Sequence, residues 1–134
     1  MWNCAHRLIL LALAVVLLVP CGGCGSGSAA KGSLIPVKGK VTYKGQPMTK
    51  GMVRFEPDGY GRMASGQLQP DGTFELTTLK PGDGVVAGEH QVFITDMDKK
   101  LAKDRALKKY GSRNTSGLKA EVSSERTEFT FDLK

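Results

Sequence analysis

Side chains able to do covalent or acid–base chemistry are few in this chain and unevenly placed. The three cysteines, Cys4, Cys21 and Cys24, all lie in the leading segment. A thiolate is a nucleophile toward acyl and alkyl donors and a ligand for soft metals. Of the two histidines, His6 shares that segment and His90 stands alone in the body. A Ser–His–acid set would have to recruit His90, and the alternation around His90, Val92 and Ile94 points its ring inward. Metal ligation has one histidine and no cysteine outside the leading segment to draw on. Asp96 and Asp98 lie two apart and share a face, the pattern of solvated loop carboxylates. Asp83, in Pro81-Gly82-Asp83-Gly84, is placed to close an Asx turn rather than to hold calcium. The glycine-rich stretches lack the spacing and following helix of a phosphate loop. The expectation is no catalytic centre, no metal and no cofactor.

The thiols sit beside an apolar segment. Residues 8–19 (LILLALAVVLLV) are apolar without interruption. Twelve residues at ~1.5 Å rise make about 18 Å of helix, short of the ~30 Å hydrocarbon core, so a secretory signal fits better than a membrane span. Arg7 and the α-amino group supply the positive charge ahead of it. The run leads into Leu18-Val19-Pro20-Cys21-Gly22-Gly23-Cys24-Gly25. This resembles the bacterial lipobox, in which a small residue precedes a cysteine that receives a diacylglycerol thioether. Gly23 before Cys24 fits, although Cys21 stands where a leucine is usual. Pro20 before Cys21 would block the peptidase, so Cys24 is the expected lipidation site and Cys21 the alternative. The resemblance implies an exported lipoprotein anchored in the cell envelope and facing the periplasm. Gly25 in place of an aspartate implies the outer membrane over the inner.

Residues 25–32 (GSGSAAKG) read as a flexible tether with a root-mean-square span of roughly 15 Å. The chain therefore divides into a signal peptide (1–23), a lipidated cysteine with its tether (24–34) and one folded domain (35–134). The net charge is +6, and a leader with Arg7 and no acid leaves +5 on the rest. That balance favours anionic partners such as lipid headgroups or acidic polymers. Nucleic acid is excluded by export and by the lack of any recognition motif. No cysteine remains in the body to form a disulfide, so about a hundred residues must hold together by packing alone.

Alternation dominates from Ile35 onward, the mark of half-buried strands. Seven inward sets follow in order. They are Val37, Gly39, Val41 and Tyr43; Val53 and Phe55; Ala64, Gly66 and Leu68; Phe74 and Leu76; His90, Val92 and Ile94; Leu118, Ala120 and Val122; Phe129, Phe131 and Leu133. Lys38, Arg54 and Glu128 fall on the outward faces. Lys44-Gly45-Gln46-Pro47 and Pro70-Asp71-Gly72-Thr73 carry turn chemistry, the second as an Asp-Gly hairpin with positive φ at both central residues. The pattern predicts an all-β, seven-stranded sandwich of prealbumin/Ig-like type. A short helix or ordered loop over residues 98–110 joins strands five and six.

With the strands laid out, residues 35–133 resemble the carboxypeptidase regulatory-like (transthyretin-like) domain found in small bacterial envelope lipoproteins. Val37-Lys38-Gly39-Lys40-Val41 with Gly45-Gln46-Pro47 resembles its opening hairpin. Gly51-Met52-Val53-Arg54-Phe55-Glu56-Pro57 resembles its second strand, and Gly66 through Asp71-Gly72-Thr73-Phe74-Glu75-Leu76 its next hairpin. Gly88-Glu89-His90-Gln91-Val92 resembles the G-x-Y-x-V strand, with His90 in place of an inward tyrosine. The enzyme branch of that fold uses several histidines and a C-terminal Tyr-Arg-Gly-Ser. This chain ends Phe131-Asp132-Leu133-Lys134. The resemblance thus implies a non-catalytic, lipid-anchored module that is structural or binds other envelope proteins. The alternative is a module for an anionic polysaccharide or lipid headgroup. It draws on Lys99, Lys100, Lys103, Arg105, Lys108, Lys109 and Arg113, with Asp104 as the one acid among them. Phe93, Tyr60 and Tyr110 are the aromatics left outside the expected core.

Overall fold

The computed structural model describes residues 32–134. Cys21, Cys24, the apolar run and most of the tether lie outside the described residues. Each alternating run becomes a strand or borders one, because its apolar side finds a second sheet to cover it. Ten strands result: β1 (Leu34–Ile35), β2 (Lys38–Tyr43), β3 (Gln46–Pro47), β4 (Met52–Pro57), β5 (Ala64–Gln67), β6 (Thr73–Glu75), β7 (Val85–Val86), β8 (Gly88–Thr95), β9 (Leu118–Val122) and β10 (Glu128–Leu133). The expected count was seven. The three extra strands, β1, β3 and β7, are two residues long and too short to alternate. The first strand among the described residues starts one residue ahead of the expected domain boundary, at Leu34.

The chain is mostly β, arranged in several sheets. One sheet runs β5-β4-β8-β9, a second β10-β2-β3 with β6 also on β2, and β1 pairs β7 apart from both. The first is antiparallel throughout. In the second, β10 runs parallel to β2, with Glu128 opposite Lys38 and Leu133 opposite Tyr43. Inner faces of the two larger sheets meet at Phe55. Its ring centroid lies 6.2 Å from that of Phe74, 5.8 Å from Phe129 and 6.1 Å from Phe131, all three on the facing sheet. Burying each such ring contributes about 1.5–3 kcal/mol, and tilted or edge-on pairs about 0.5–1.5 kcal/mol more. The inward sets are buried, apart from Gly39, Tyr43 and Leu118, which are half-buried. Lys38 and Glu128 face solvent, whereas Arg54 is half-buried because its Nε donates to Thr95 Oγ1 at 2.8 Å.

The two expected turns differ in backbone conformation. The hairpin with positive φ at both central residues is Lys44-Gly45 (φ 49° and 78°), between β2 and β3. At Asp71-Gly72 only the glycine is left-handed, at 81°. The turn is a hairpin, with Gln69 N donating to Thr73 O, Gly72 N to Gln69 O, and Ser65 and Thr77 exchanging backbone bonds beyond it. It also forms a crossing between the two large sheets, since β5 pairs β4 while β6 pairs β2. Gly72 carries that crossing onto β2: its carbonyl accepts from Val41 N, and an added Cβ would lie 2.7 Å from Val41 O. Asp71 Oδ1 receives Thr73 N and Oγ1 at 3.0 and 2.6 Å, closing an Asx turn.

The connection after β8, expected as a short helix or ordered loop, is a series of short turns. It forms a 3₁₀ turn (Leu101–Lys103), α1 (Arg105–Lys108), a second 3₁₀ turn (Lys109–Gly111) and α2 (Arg113–Ser116). Asp104 and Ser112 each adopt extended backbone and restart the turn after them. Asp104 Oδ1 caps α1 by accepting from Ala106 N at 2.9 Å. Leu107 and Tyr110 are buried and fasten the segment to the core. Among the described residues no helix is long and apolar enough to cross a membrane.

Candidate functional site

Acid–base chemistry at His90 would need solvent or substrate to reach the ring, and neither can. The residue is 0% exposed on β8, 5.9 Å from the Phe55 ring. Its Nδ1 lies 2.9 Å from the Gly88 carbonyl oxygen, which can only accept, so the neutral ring carries its proton on Nδ1. Nε2 is buried without a partner. Desolvation pulls the ring below its ordinary pKa, against smaller opposing effects of the Gly88 carbonyl and Asp58.

The carboxylates singled out in the sequence are engaged locally. Asp83 Oδ1 accepts from Thr78 N at 2.7 Å, and Oδ2 from Leu79 N and Lys80 N at 2.9 and 2.7 Å. Desolvation opposes ionisation here, but these backbone donors outweigh it and hold the carboxyl below its usual range. Asp96 accepts from Thr95 Oγ1 and lies 3.8 Å from Arg54, while Asp98 accepts from Lys100 N. Among the described residues no group of three or more His, Cys, Asp or Glu could hold a metal ion.

The basic connection splits into two parts. Lys99, Lys100, Lys103, Arg105, Lys108 and Lys109 are exposed. Asp104 offers them little neutralisation, because its Oδ2 takes the Tyr43 hydroxyl at 2.5 Å and lies 3.7 Å from Lys44 Nζ. The Tyr43 hydroxyl, then the Ala106 N–H, hold this carboxyl low. Arg113 turns away from the set. Its Nε lies 3.3 Å from Glu56 Oε2 and its Nη2 3.1 Å from Asp58 Oδ1, so its charge is matched within the fold.

Sequence reasoning did not foresee a cleft of about 630 Å³ where the chain joins the fold. Gly32, Leu34, Tyr60, Arg62, Leu79 and Val86 contribute to its walls. Tyr60 is 81% exposed and Leu79 64%, and Met63 beside them is 41% exposed. Both loops that carry these side chains are held. Gly61, at φ 140°, approaches so closely that a Cβ would lie 2.6 Å from Val86 Cγ2. Asp83 receives the backbone of Leu79 itself.

No family model, curated protein or solved structure matches the chain. The site therefore rests on its own geometry. Of the three candidate aromatics, Tyr60 lies open, Phe93 is half-buried on β8 and Tyr110 is in the core. The cleft draws on residues from four separate stretches, so no local pattern announces it. The one available signal was Gly59-Tyr60-Gly61, an aromatic between two glycines, together with Leu79 falling outside every alternating run.

Proposed function

We propose that this chain is a non-catalytic module of the cell envelope, exported and held at a membrane, the outer rather than the inner, by lipid on Cys24. Its folded part is read as a carboxypeptidase regulatory-like (transthyretin-like) sandwich that supports or meets other envelope proteins. The observation that carries the reading is the apolar run of residues 8–19 followed by Gly23-Cys24, eight residues before Gly32, the first described residue. The sealing of His90 and the local engagement of Asp71, Asp83 and Asp104 support a structural role for the folded part. Mass spectrometry of the detergent-extracted protein tests it. The expected N-terminal peptide begins at a diacylglyceryl-modified Cys24, and Cys24→Ala releases the protein from membranes or stalls its processing. A peptide beginning at Cys21, or an unmodified Cys24, refutes the assignment.

One observation favours a second reading, a module for an anionic polysaccharide. Six exposed cations lie on a segment whose only acid is turned toward Tyr43. Retention on a heparin column that falls with salt, and falls again when Lys99, Lys100, Lys108 and Lys109 become Gln, would support it.

A further inference from the structure

Two surfaces of this protein suit an anionic or amphipathic partner, and the strand directions separate them. Leu34 leads into β2, and Tyr43 ends it. Tyr43 bonds Asp104 of the basic connection, whereas Leu34 pairs with Val86 in the wall of the cleft. β2 alone rises about 17 Å from Lys38 to Tyr43, at 3.3–3.4 Å per residue. The cleft thus lies toward the amino end of the described residues, and Asp104, amid the lysines, lies at the other end of the strand.

We propose that the rim of this cleft is a membrane-docking surface, in which Tyr60 and Leu79 enter the headgroup region of the bilayer that holds the lipid anchor. The proposal rests on the lipid-anchor reading and adds an orientation to it. Eight residues from Cys24 to Gly32 reach at most about 28 Å when fully extended, and half that as a coil. A bilayer that holds Cys24 therefore lies within reach of this end. Tyrosine is the side chain enriched at such interfaces, with an apolar ring and a polar tip. Arg62 and Lys80, both exposed, stand next to these apolar groups and match anionic headgroups. Of the nearby acids, Asp83 accepts from three backbone N–H groups and Asp58 lies 3.1 Å from Arg113 Nη2. Held loops presenting a 64%-exposed leucine and an 81%-exposed tyrosine to water call for a partner that covers them. Tyr43, bonded to Asp104 amid the lysines, lies about 17 Å along β2 from Lys38, roughly two Debye lengths of ~8 Å at physiological salt. Arg113 instead returns to Asp58 near the cleft, with its charge matched there.

The test uses the processed protein, purified with its lipid and reconstituted into vesicles of phosphatidylethanolamine and phosphatidylglycerol. Trp2 is the only tryptophan and falls in the signal peptide that processing removes, so Tyr60→Trp gives the lipidated protein a single indole. Leu79→Trp and Lys103→Trp are made in the same way. Flotation with the vesicles reads the anchor; quenching by lipids brominated on their acyl chains reads the docking. The expected result is flotation of all three, with blue-shifted, quenched emission from positions 60 and 79 and unquenched emission from 103. Arg62→Glu combined with Leu79→Glu should abolish quenching at 60 and leave flotation unchanged. Flotation without quenching at 60 and 79 overturns the docking surface while the anchor stands. Quenching at 103 alone overturns it in favour of the basic connection. Failure to float overturns the anchor reading, and this proposal with it.

Discussion

The two ends of β2 divide the surface of this protein by chemistry. At its amino end the fold presents a cleft with a tyrosine and a leucine on tightly held loops, flanked by two cations. At its other end lies a string of short helical turns dense in lysine, fastened by Leu107, Tyr110 and the Tyr43–Asp104 bond. Charge density favours the second as a partner surface. Position relative to the expected anchor favours the first. Charged groups separated from a surface by more than a Debye length are largely screened, so topology outweighs the count of lysines.

The comparison breaks most sharply at Gly84. It holds φ 88° beside β1, and a Cβ there would collide with the Ile35 carbonyl oxygen. Gly84→Ala should cost on the order of 4 kcal/mol or more and unfold the amino end first, which hydrogen exchange followed by mass spectrometry would locate. Leu107 offers the matching lesion at the far end. It is fully buried, and Leu107→Ala should cost about 2–4 kcal/mol in a urea titration, with exchange rising first over residues 101–116. If both variants loosen the same residues, the two ends are one cooperative unit and the division fails.

A pH series sharpens it further. His90 pairs with Pro57 and Ala120, on the half of β8 that leads away from the basic connection. Its folded pKa lies below the ordinary 6.5, so the unfolded chain binds the proton first as pH falls. Stability contributed by the neutral ring is complete above about 6.5 and is lost from there down through the lowered value. His90→Phe should flatten that part of the stability–pH curve, and an unchanged slope would show that another group titrates there. Asp83 acts lower, because a depressed carboxyl contributes stability that is lost only as pH falls through its folded value. The smallest effect belongs to the lysines. Changing Lys99, Lys100, Lys108 and Lys109 to Gln should move the urea midpoint by less than about 0.5 kcal/mol per site, while removing whatever anionic polymer binds there.

Strand faces were legible because period two leaves little freedom once one side must be buried. His90 inward and Glu128 outward follow from counting. What escaped the count has a common cause in contacts between distant residues. Met48 is 1% exposed although it belongs to no alternating run. The Asp71-Gly72 hairpin was legible, but not the bond from Val41 N to Gly72 O or the pairing of β6 with β2 while β5 pairs β4. Arg113 belonged by sequence to a basic run, and Glu56 and Asp58 claim it in space. The cleft is the extreme case, assembled from stretches that share no local pattern.

The parallel pairing of β10 with β2 sets the timing of folding. Lys38 finds its partner at Glu128, ninety positions later, and Phe129 and Phe131 arrive on the same strand to close the ring cluster around Phe55. One large sheet is therefore incomplete until the last residues of the domain are available. Contacts this remote in sequence place the domain among slow folders, in the millisecond-to-second range. A chain emerging from a ribosome or threading through a translocation pore would remain open for nearly its whole length, and would close only after β10 had cleared the channel.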